Sequence, residues 1–175
     1  MPIVPPINFK KWIDENRHLL KPPVGNKVVY EDTNFIVMVV GGPNSRKDFH
    51  YNETEEFFYQ LEGNIVVKVQ DDGKMVEVPI NEGDIFLLPP KIPHNPCRPA
   101  NSIGLVMEYK RKETQKDGLL WFCDQCNEKL HESYFHLTNI EKDFIPRFKE
   151  YYGSTEMRTC PKCGNVMEAD KRFVD

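Results

Sequence analysis

Between residues 28 and 109 the chain alternates short runs of β-branched and aromatic residues with turn signals. The runs cover residues 28–30, 35–40, 57–61, 65–69, 75–80, 85–88 and 103–109. Turn residues separate them, at 31–34, 62–64 and 71–74 among other places. A parallel sheet needs long, usually helical crossovers, and no helical pattern separates these runs. The spacing therefore predicts a mainly β fold, an antiparallel barrel or sandwich.

A helical pattern precedes this region. Residues 8–20 carry apolar side chains at near-helical spacing, with Asn8 as a candidate N-cap. Lys21 is followed by two prolines, and proline disfavours the helical conformation of the residue before it. We expect one amphipathic helix over 8–20 that packs on the strands.

The remaining third of the chain has a different character. Residues 111–118 are charged and lack apolar periodicity, which is typical of a linker. Farther on, Thr138 and Glu141 form a capping-box pattern before a helical run, in which Pro146 leaves continuity open. We therefore expect two units, residues 1–110 and residues 111–175.

Composition restricts the classes of partner. The chain has 175 residues and a net charge of -4, so it presents no overall basic field for nucleic acid or anionic membranes. No apolar run approaches the roughly 18 residues of a membrane span, and the start of the chain lacks the pattern of a signal peptide. We expect a cytosolic protein.

Four of the five cysteines form two Cys-x-x-Cys pairs, Cys123 with Cys126 and Cys160 with Cys163. Four thiolates from two such turns are typical of a closed tetrahedral metal site that holds structural zinc or rubredoxin-like iron. Two disulfides are the alternative, disfavoured in a reducing compartment. A nucleic-acid-binding zinc ribbon is disfavoured because the segment lacks a basic stripe.

Two histidines and one carboxylate form a second candidate metal site. His50 and Glu56 are close in the sequence, and His94 follows after a proline-rich segment. Two imidazoles and a carboxylate are the ligand set of a facial-triad Fe(II) site, which leaves coordination positions open for substrate and dioxygen. The alternative is two loop histidines beside a solvated carboxylate.

The framing of these three residues favours the metal site. The first part reads His-x-Asn-x-x-x-Glu, with a glycine after six further residues, and the second reads Gly-x5-Pro-x4-His. Both resemble the two motifs of the cupin superfamily, which implies a double-stranded β-helix, or jelly-roll, barrel. Asn52 stands where many cupins have another histidine, and Lys91 stands where glycine is usual. A three-ligand site is thus implied.

Residues 41–50, 54–60 and 81–99 carry a closer resemblance, to the 3-hydroxyanthranilate 3,4-dioxygenase family. The cysteine pairs resemble the additional metal site of its short, microbial-type members. The resemblance implies an Fe(II)-dependent enzyme that opens the ring of 3-hydroxyanthranilate with O2, giving 2-amino-3-carboxymuconate semialdehyde. That product closes to quinolinate, a precursor of nicotinamide cofactors made from tryptophan in the kynurenine pathway.

The same resemblance implies roles for four side chains. Arg98 would bind the substrate carboxylate, since a planar guanidinium suits bidentate contact. Arg46 would lie near dioxygen and stabilise negative charge there. Glu108 would help to remove a substrate proton, and Glu56 would touch the substrate as well as the metal. The alternatives are solvated arginines and an outward-facing Glu108.

Three questions stay open at this point. The alternative functions are another iron cupin dioxygenase, such as one acting on small thiols, and a non-catalytic ligand-binding cupin. Cys97 has no base beside it in the sequence and is expected to be a small buried side chain. An open barrel with an exposed edge favours pairing of two subunits, so we expect a homodimer.

Overall fold

The computed structural model describes residues 3, 5–22, 25–30, 33–44 and 46–174. The helices are α1 Phe9–Asn16, α2 Ile140–Gly153 and α3 Thr155–Arg158. The strands are β1 Asn26–Tyr30, β2 Phe35–Gly41, β3 Phe49–Tyr51, β4 Glu56–Glu62, β5 Ile65–Asp71, β6 Lys74–Ile80, β7 Ile85–Leu88, β8 His94–Cys97, β9 Ile103–Tyr109, β10 Asp117–Phe122 and β11 Lys129–Phe135.

Within the described residues the strands form two sheets, and every strand pairing is antiparallel. The five-stranded sheet has the order β1-β2-β9-β4-β7, and the six-stranded sheet has the order β11-β10-β3-β8-β5-β6. The mainly β fold predicted from the sequence is confirmed. The turn predicted at 31–34 lies partly outside the described residues.

The barrel core lies between the two sheets. Side chains of a strand alternate between its faces, and β4 buries Glu56, Phe58 and Gln60 while its other side chains are half-buried. Apolar side chains from both sheets form one buried cluster: Met38, Phe58, Ile65, Val67, Val69, Ile80, Leu88 and Val106. The inward face of β4 thus carries two polar side chains, Glu56 and Gln60, with Phe58 between them.

The predicted N-terminal helix is confirmed. The side chain of Asn8 accepts a hydrogen bond from the backbone N–H of Lys11, and α1 continues as a 3-10 turn through Leu19. Buried Ile13 and Leu20 pack with Val39 and Ile103 on the outer face of the five-stranded sheet. The helix therefore covers part of that face.

The C-terminal third is more closely joined to the barrel than the sequence indicates. β10 pairs with β3, and β11 pairs with β10, so the six-stranded sheet runs into the cysteine-containing segment. Residues 111–118, interpreted as a linker, include Arg111 and Asp117, whose side chains are 3% and 0% exposed. The division into units at residue 110 stays a prediction.

The second helix differs from its predicted start. The N-cap of α2 is Asn139, not Thr138, because the Asn139 side chain accepts from the Lys142 N–H. The carboxylate of Asp143, two residues after the predicted Glu141, accepts from the N–H groups of Thr138 and Asn139 and so supplies the reciprocal contact of a capping box. The helix is continuous through Pro146. In the part of the chain that the structure describes, no helix is long and apolar enough to cross a membrane.

Candidate active site

His50, Glu56 and His94 meet inside the barrel. His50 on β3 and His94 on β8 are direct cross-strand partners, and Glu56 begins β4 in the facing sheet. One possible ligand atom from each residue lies within 4.8 Å of the others. Glu56 and His94 are 6% and 2% exposed. The three residues proposed from the sequence as metal ligands are therefore brought together in a buried place.

The donor atoms of this group suit a cation. Nδ1 of His94 lies 3.1 Å from the Ile92 carbonyl oxygen, so Nδ1 carries a proton and donates it to that oxygen. Nε2 is then the nitrogen that can bind a metal ion. Nε2 of His94 lies 3.0 Å from Oε2 of Glu56, which is buried and has no hydrogen-bond partner among the described residues. The two atoms attract each other when a proton lies on Nε2, and a metal ion bound between them would replace that proton, so the site fits a metal ion.

Burial and the charges of neighbouring residues shift the pKa values of His50, Glu56 and His94. Burial lowers the pKa of His50 below its ordinary value, which keeps the imidazole neutral as a metal ligand requires. Burial alone would lower the pKa of His94 and raise that of Glu56. Their mutual attraction outweighs burial in both, so the pKa of His94 is raised and that of Glu56 lowered.

Arg98 is a buried cation inside the barrel. Its residue exposure is 3%, and burial lowers the pKa of its guanidinium to about 10. Nη1 donates to the Gln60 side chain at 3.2 Å, while Nε has no partner and no carboxylate lies within 4.0 Å among the described residues. Buried charges are normally paired, so this guanidinium fits an anionic group of a ligand.

Glu108 also points into the barrel, which excludes the outward-facing alternative. It is 2% exposed and is the cross-strand partner of Glu56. Burial and then the charge of Glu56 raise the pKa of Glu108 to about 7. Asn52 donates to it at 3.0 Å, and Arg111 contacts it at 2.7 Å. Asn52 thus supports Glu108 rather than occupying a fourth ligand position.

Arg46 lies at the edge of this group rather than among the three ligands. Its guanidinium donates two hydrogen bonds to buried Asp48, at 3.0 and 2.6 Å. It also lies 5.3 Å from the ring centres of Phe144 and Phe148 on α2. The Phe144 ring in turn lies 5.5 Å from the His50 ring. Helix α2 therefore covers one side of the site, and its Phe144 lies next to both Arg46 and His50.

Four residues at the site were missed from the sequence. Gln60 contacts Arg98, Phe144 covers His50, and Arg111 and Asp117 bind Glu108 and His50. The alternation of β4 could have placed Gln60 on the same face as Glu56. No local pattern identifies the other three, since they come from the segment after the barrel strands.

Lys91 shows why a departure from the cupin pattern is tolerated. Its φ is +67°, the left-handed conformation that glycine adopts most easily. Its backbone N–H donates to the carbonyl of Asn52 at 2.8 Å. The turn before His94 thus keeps the conformation of the usual glycine and is joined to the stretch that carries His50.

The four paired cysteines form the second candidate metal site. Their sulfur atoms lie within 4.8 Å of one another, with three pairs at 3.5–3.6 Å. A tetrahedron with Zn–S bonds of about 2.3 Å has sulfur–sulfur edges of about 3.8 Å, close to these distances. All four are free thiols. The arrangement fits one tetrahedral ion.

The two cysteine turns are built alike. Asn127 donates its N–H to the carbonyl of Cys123, and Gly164 does the same to Cys160, both at 2.9 Å. Asn127 and Gly164 both have positive φ, at +58° and +76°. Outside the cluster, Cys97 is half-buried rather than buried, and burial raises the pKa of its thiol, which disfavours the thiolate that a nucleophile needs.

Comparisons with known proteins show which family the chain belongs to. A family model described as 3-hydroxyanthranilic acid dioxygenase matches residues 1–152. A 3-hydroxyanthranilate 3,4-dioxygenase of Xanthomonas campestris is 56% identical over 98% of this chain and 97% of its own length. One from Jannaschia is 54% identical over 91% of this chain and 89% of its own length.

Among solved structures, a cupin-2 domain protein of Shewanella frigidimarina is 17% identical over 59% of this chain and 93% of its own, with a TM-score of 0.47. The family model and the two relatives each cover most of the chain. The chain belongs to the 3-hydroxyanthranilic acid dioxygenase family.

Proposed function

We propose that His50, Glu56 and His94 hold one Fe(II) ion, and that the chain uses it to cleave the ring of 3-hydroxyanthranilate with O2. The observation that carries the proposal is the three-residue group beside the buried Arg98 guanidinium, which has no carboxylate within 4.0 Å in the part of the chain that the structure describes. Family membership supports the substrate and the reaction class, because the family model is described as a 3-hydroxyanthranilic acid dioxygenase and the relatives are named 3-hydroxyanthranilate 3,4-dioxygenases. The product would be 2-amino-3-carboxymuconate semialdehyde, which closes to quinolinate on the route to nicotinamide cofactors.

The metal ion and the protein side chains would have different roles in the reaction. Fe(II) held by two histidines and one carboxylate supplies open coordination positions for substrate and dioxygen. The protein supplies orientation and proton transfer. Buried Arg98 would bind the substrate carboxylate, and a charge-assisted hydrogen bond of this kind contributes about 1.5–3 kcal/mol. That contact would present the hydroxyl and amine of the ring to the metal.

Glu108 would accept a proton from the substrate hydroxyl or amine. Its pKa of about 7 suits a group that takes up and releases a proton near neutral pH. Asn52 and Arg111 hold its carboxylate in place. Glu56 would contact the substrate as well as the metal.

Arg46 would stabilise negative charge near dioxygen, as the family resemblance implies. Its guanidinium contacts Asp48 and two phenylalanine rings, so this role requires it to turn from Asp48 toward the proposed ligands. The side chain is 30% exposed, which leaves room for such a movement.

We propose that the four cysteines hold a second ion, zinc or iron, with a structural role. Four protein ligands leave no open position for substrate. Trp121 on β10, Phe144 and Phe148 on α2, and Met167 belong to one buried apolar cluster. Cys123 directly follows β10, and Met167 follows the turn that carries Cys160 and Cys163. The ion would therefore support the helix that covers the active site.

Oxygen uptake with a panel of compounds tests the proposal. Iron-loaded protein should consume O2 with 3-hydroxyanthranilate, and far less with 2-aminophenol, which lacks the carboxylate that Arg98 would bind. Uptake with cysteine instead would favour the thiol-dioxygenase alternative. Binding of 3-hydroxyanthranilate without any oxygen uptake would favour a non-catalytic cupin.

The homodimer and the cytosolic location also remain proposals. β7 lies at one end of the five-stranded sheet, and its side chains Ile85 and Leu87 are 67% and 56% exposed. An apolar edge strand favours contact with another subunit. Sedimentation of the purified protein should give twice the mass of one chain, and a single-chain mass would contradict the dimer.

A further inference from the structure

Asp117 connects the segment after the barrel strands to the candidate metal site. It begins β10, whose pairing with β3 places Leu119 opposite His50. Its side chain is fully buried, and Oδ2 lies 2.6 Å from Nε2 of His50. The pairing of β10 with β3 is therefore what brings a carboxylate to a proposed metal ligand.

This contact determines which nitrogen of His50 carries the proton. A carboxylate accepts, so Nε2 of His50 donates its N–H to Asp117 and the lone pair remains on Nδ1. Metal-binding histidines typically donate their other N–H to a carboxylate or carbonyl, which fixes the ring and strengthens the ligand. His94 makes the equivalent contact to the Ile92 carbonyl.

Arg111 joins Asp117 to Glu108. Its Nε and Nη2 donate to the two oxygens of Asp117 at 2.7 and 2.5 Å. Its Nη1 lies 2.7 Å from Oε2 of Glu108, and the Arg111 side chain is 3% exposed. One guanidinium therefore holds two buried carboxylates, and each carboxylate serves a different part of the site.

We infer that Asp117 and Arg111 are positioning residues: Asp117 orients His50 for the metal, and Arg111 fixes Glu108 relative to that ligand. This inference rests on the proposed function, since it assigns supporting roles to His50 as ligand and Glu108 as base. The continuous sequence of contacts is His50, Asp117, Arg111, Glu108 and Asn52.

A purely structural role for this network would give a different result. Breaking a buried ion pair leaves an unpaired charge and destabilises a fold whatever the pair's function. It would not by itself change how tightly the folded protein keeps iron. Iron retention, measured on protein that is folded by circular dichroism, therefore separates the two roles.

The first test is Asp117→Asn, which keeps the shape of the side chain and removes its charge. Removing such a supporting contact typically weakens metal binding about 10- to 100-fold. The readout is iron retained against a graded chelator, without substrate, with His50→Ala marking loss from this site. Glu113→Gln, an exposed carboxylate of the same segment, is the matched control and should retain iron as the unaltered protein does.

The second test is Arg111→Lys, which keeps the charge but not the three-way contact. We expect kcat to fall about 10- to 100-fold through misplacement of Glu108, while KM changes little. Lys112→Arg, at an exposed neighbouring position, should leave kcat unchanged. If Asp117→Asn does not fold, Asp117→Glu takes its place in the chelator experiment, with weaker iron retention expected.

The outcomes separate this inference from the proposed function. Equal iron retention in the Asp117 variant and the unaltered protein, or unchanged kcat in Arg111→Lys, would overturn the positioning roles. Failure of the unaltered, iron-loaded protein to consume oxygen with 3-hydroxyanthranilate would overturn the proposed function instead. The chelator experiment uses no substrate, so its result tests the role of Asp117 whether or not the unaltered protein consumes oxygen.

Discussion

Glu56 and Glu108 are direct cross-strand partners on β4 and β9, and both carboxylates are buried inside the barrel. The pKa values of the two carboxyl groups shift in opposite directions. The neighbouring charge of His94 lowers the pKa of Glu56, whereas burial and the charge of Glu56 raise the pKa of Glu108 to about 7. Two carboxylates with opposite shifts suit two roles, a metal ligand and a proton acceptor.

This difference predicts a pH dependence of activity. A proton acceptor must be deprotonated, so kcat/KM should rise with pH and level off above about 7. Glu108→Gln should lower kcat about 100-fold or more and remove that rise. Glu55→Gln, close to Glu56 but exposed, is the control and should keep the profile. An unchanged profile in Glu108→Gln would exclude Glu108 as the acceptor.

The same shift has a consequence for stability. The pKa of Glu108 rises from an ordinary 4.5 to about 7 on folding, so the folded chain binds more protons than the unfolded chain between these values. The contribution of Glu108 to the free energy of unfolding is therefore fully present below about 4.5 and declines as pH rises through 7. Denaturant titrations at several pH values should show a smaller decline in Glu108→Gln, and an equal decline would contradict this assignment.

Arg98→Ala tests the substrate contact. Loss of a charge-assisted hydrogen bond should raise KM for 3-hydroxyanthranilate about 10- to 100-fold, while iron content stays unchanged. Steady-state kinetics and metal analysis measure the two quantities. Arg172→Ala, whose side chain is 58% exposed, is the control. Loss of iron in Arg98→Ala would show that Arg98 supports the metal site and not the substrate.

Gly104→Ala tests whether Arg98 depends on the strand beneath it. A Cβ at position 104 would lie 2.7 Å from Oε1 of Gln60 and 2.9 Å from Nη1 of Arg98, so both side chains must move. We expect KM to rise about tenfold or more through misplacement of the guanidinium. Gly153→Ala is the control because a Cβ there meets nothing within 4 Å. An unchanged KM in Gly104→Ala would show that Arg98 is not held by this packing.

Cys160→Ser tests the second metal site. Losing a buried thiolate ligand should remove one ion per chain and destabilise the fold by at least about 4 kcal/mol, or roughly 8–16 °C in Tm for a chain of this size. Cys97→Ser should keep both ions, since Cys97 lies outside the cluster. Metal analysis also identifies the ion, as two irons or one iron and one zinc. Retention of the second ion in Cys160→Ser would contradict a four-cysteine site.

The sequence predicts those parts of the site whose geometry is local. His50 and Glu56 belong to one short stretch, and the glycine and proline residues that frame His94 are recognisable by their resemblance to a cupin motif. The two cysteine turns are similarly self-contained. In each case neighbouring residues determine the backbone conformation, so the pattern indicates the structure.

The residues that the sequence does not predict depend on distant pairing. Arg111 and Asp117 lie in a charged segment without periodicity. Asp117 begins β10, which pairs with β3, and Arg111 contacts Asp117 and Glu108. In the sequence Phe144 is one of several apolar residues at helical spacing, yet in the structure its ring packs against His50. β3 and β8 have three and four residues, too few for a periodic signal. Tertiary contacts, not local preference, determine these features.

Oxygen uptake by the iron-loaded protein, measured together with the loss of 3-hydroxyanthranilate, tests the central claim most directly. If His50, Glu56 and His94 hold the catalytic ion, the unaltered protein should consume one O2 for each substrate molecule. His94→Ala should lose that activity while keeping the ion held by the cysteines. Turnover by His94→Ala at the rate of the unaltered protein would contradict the account.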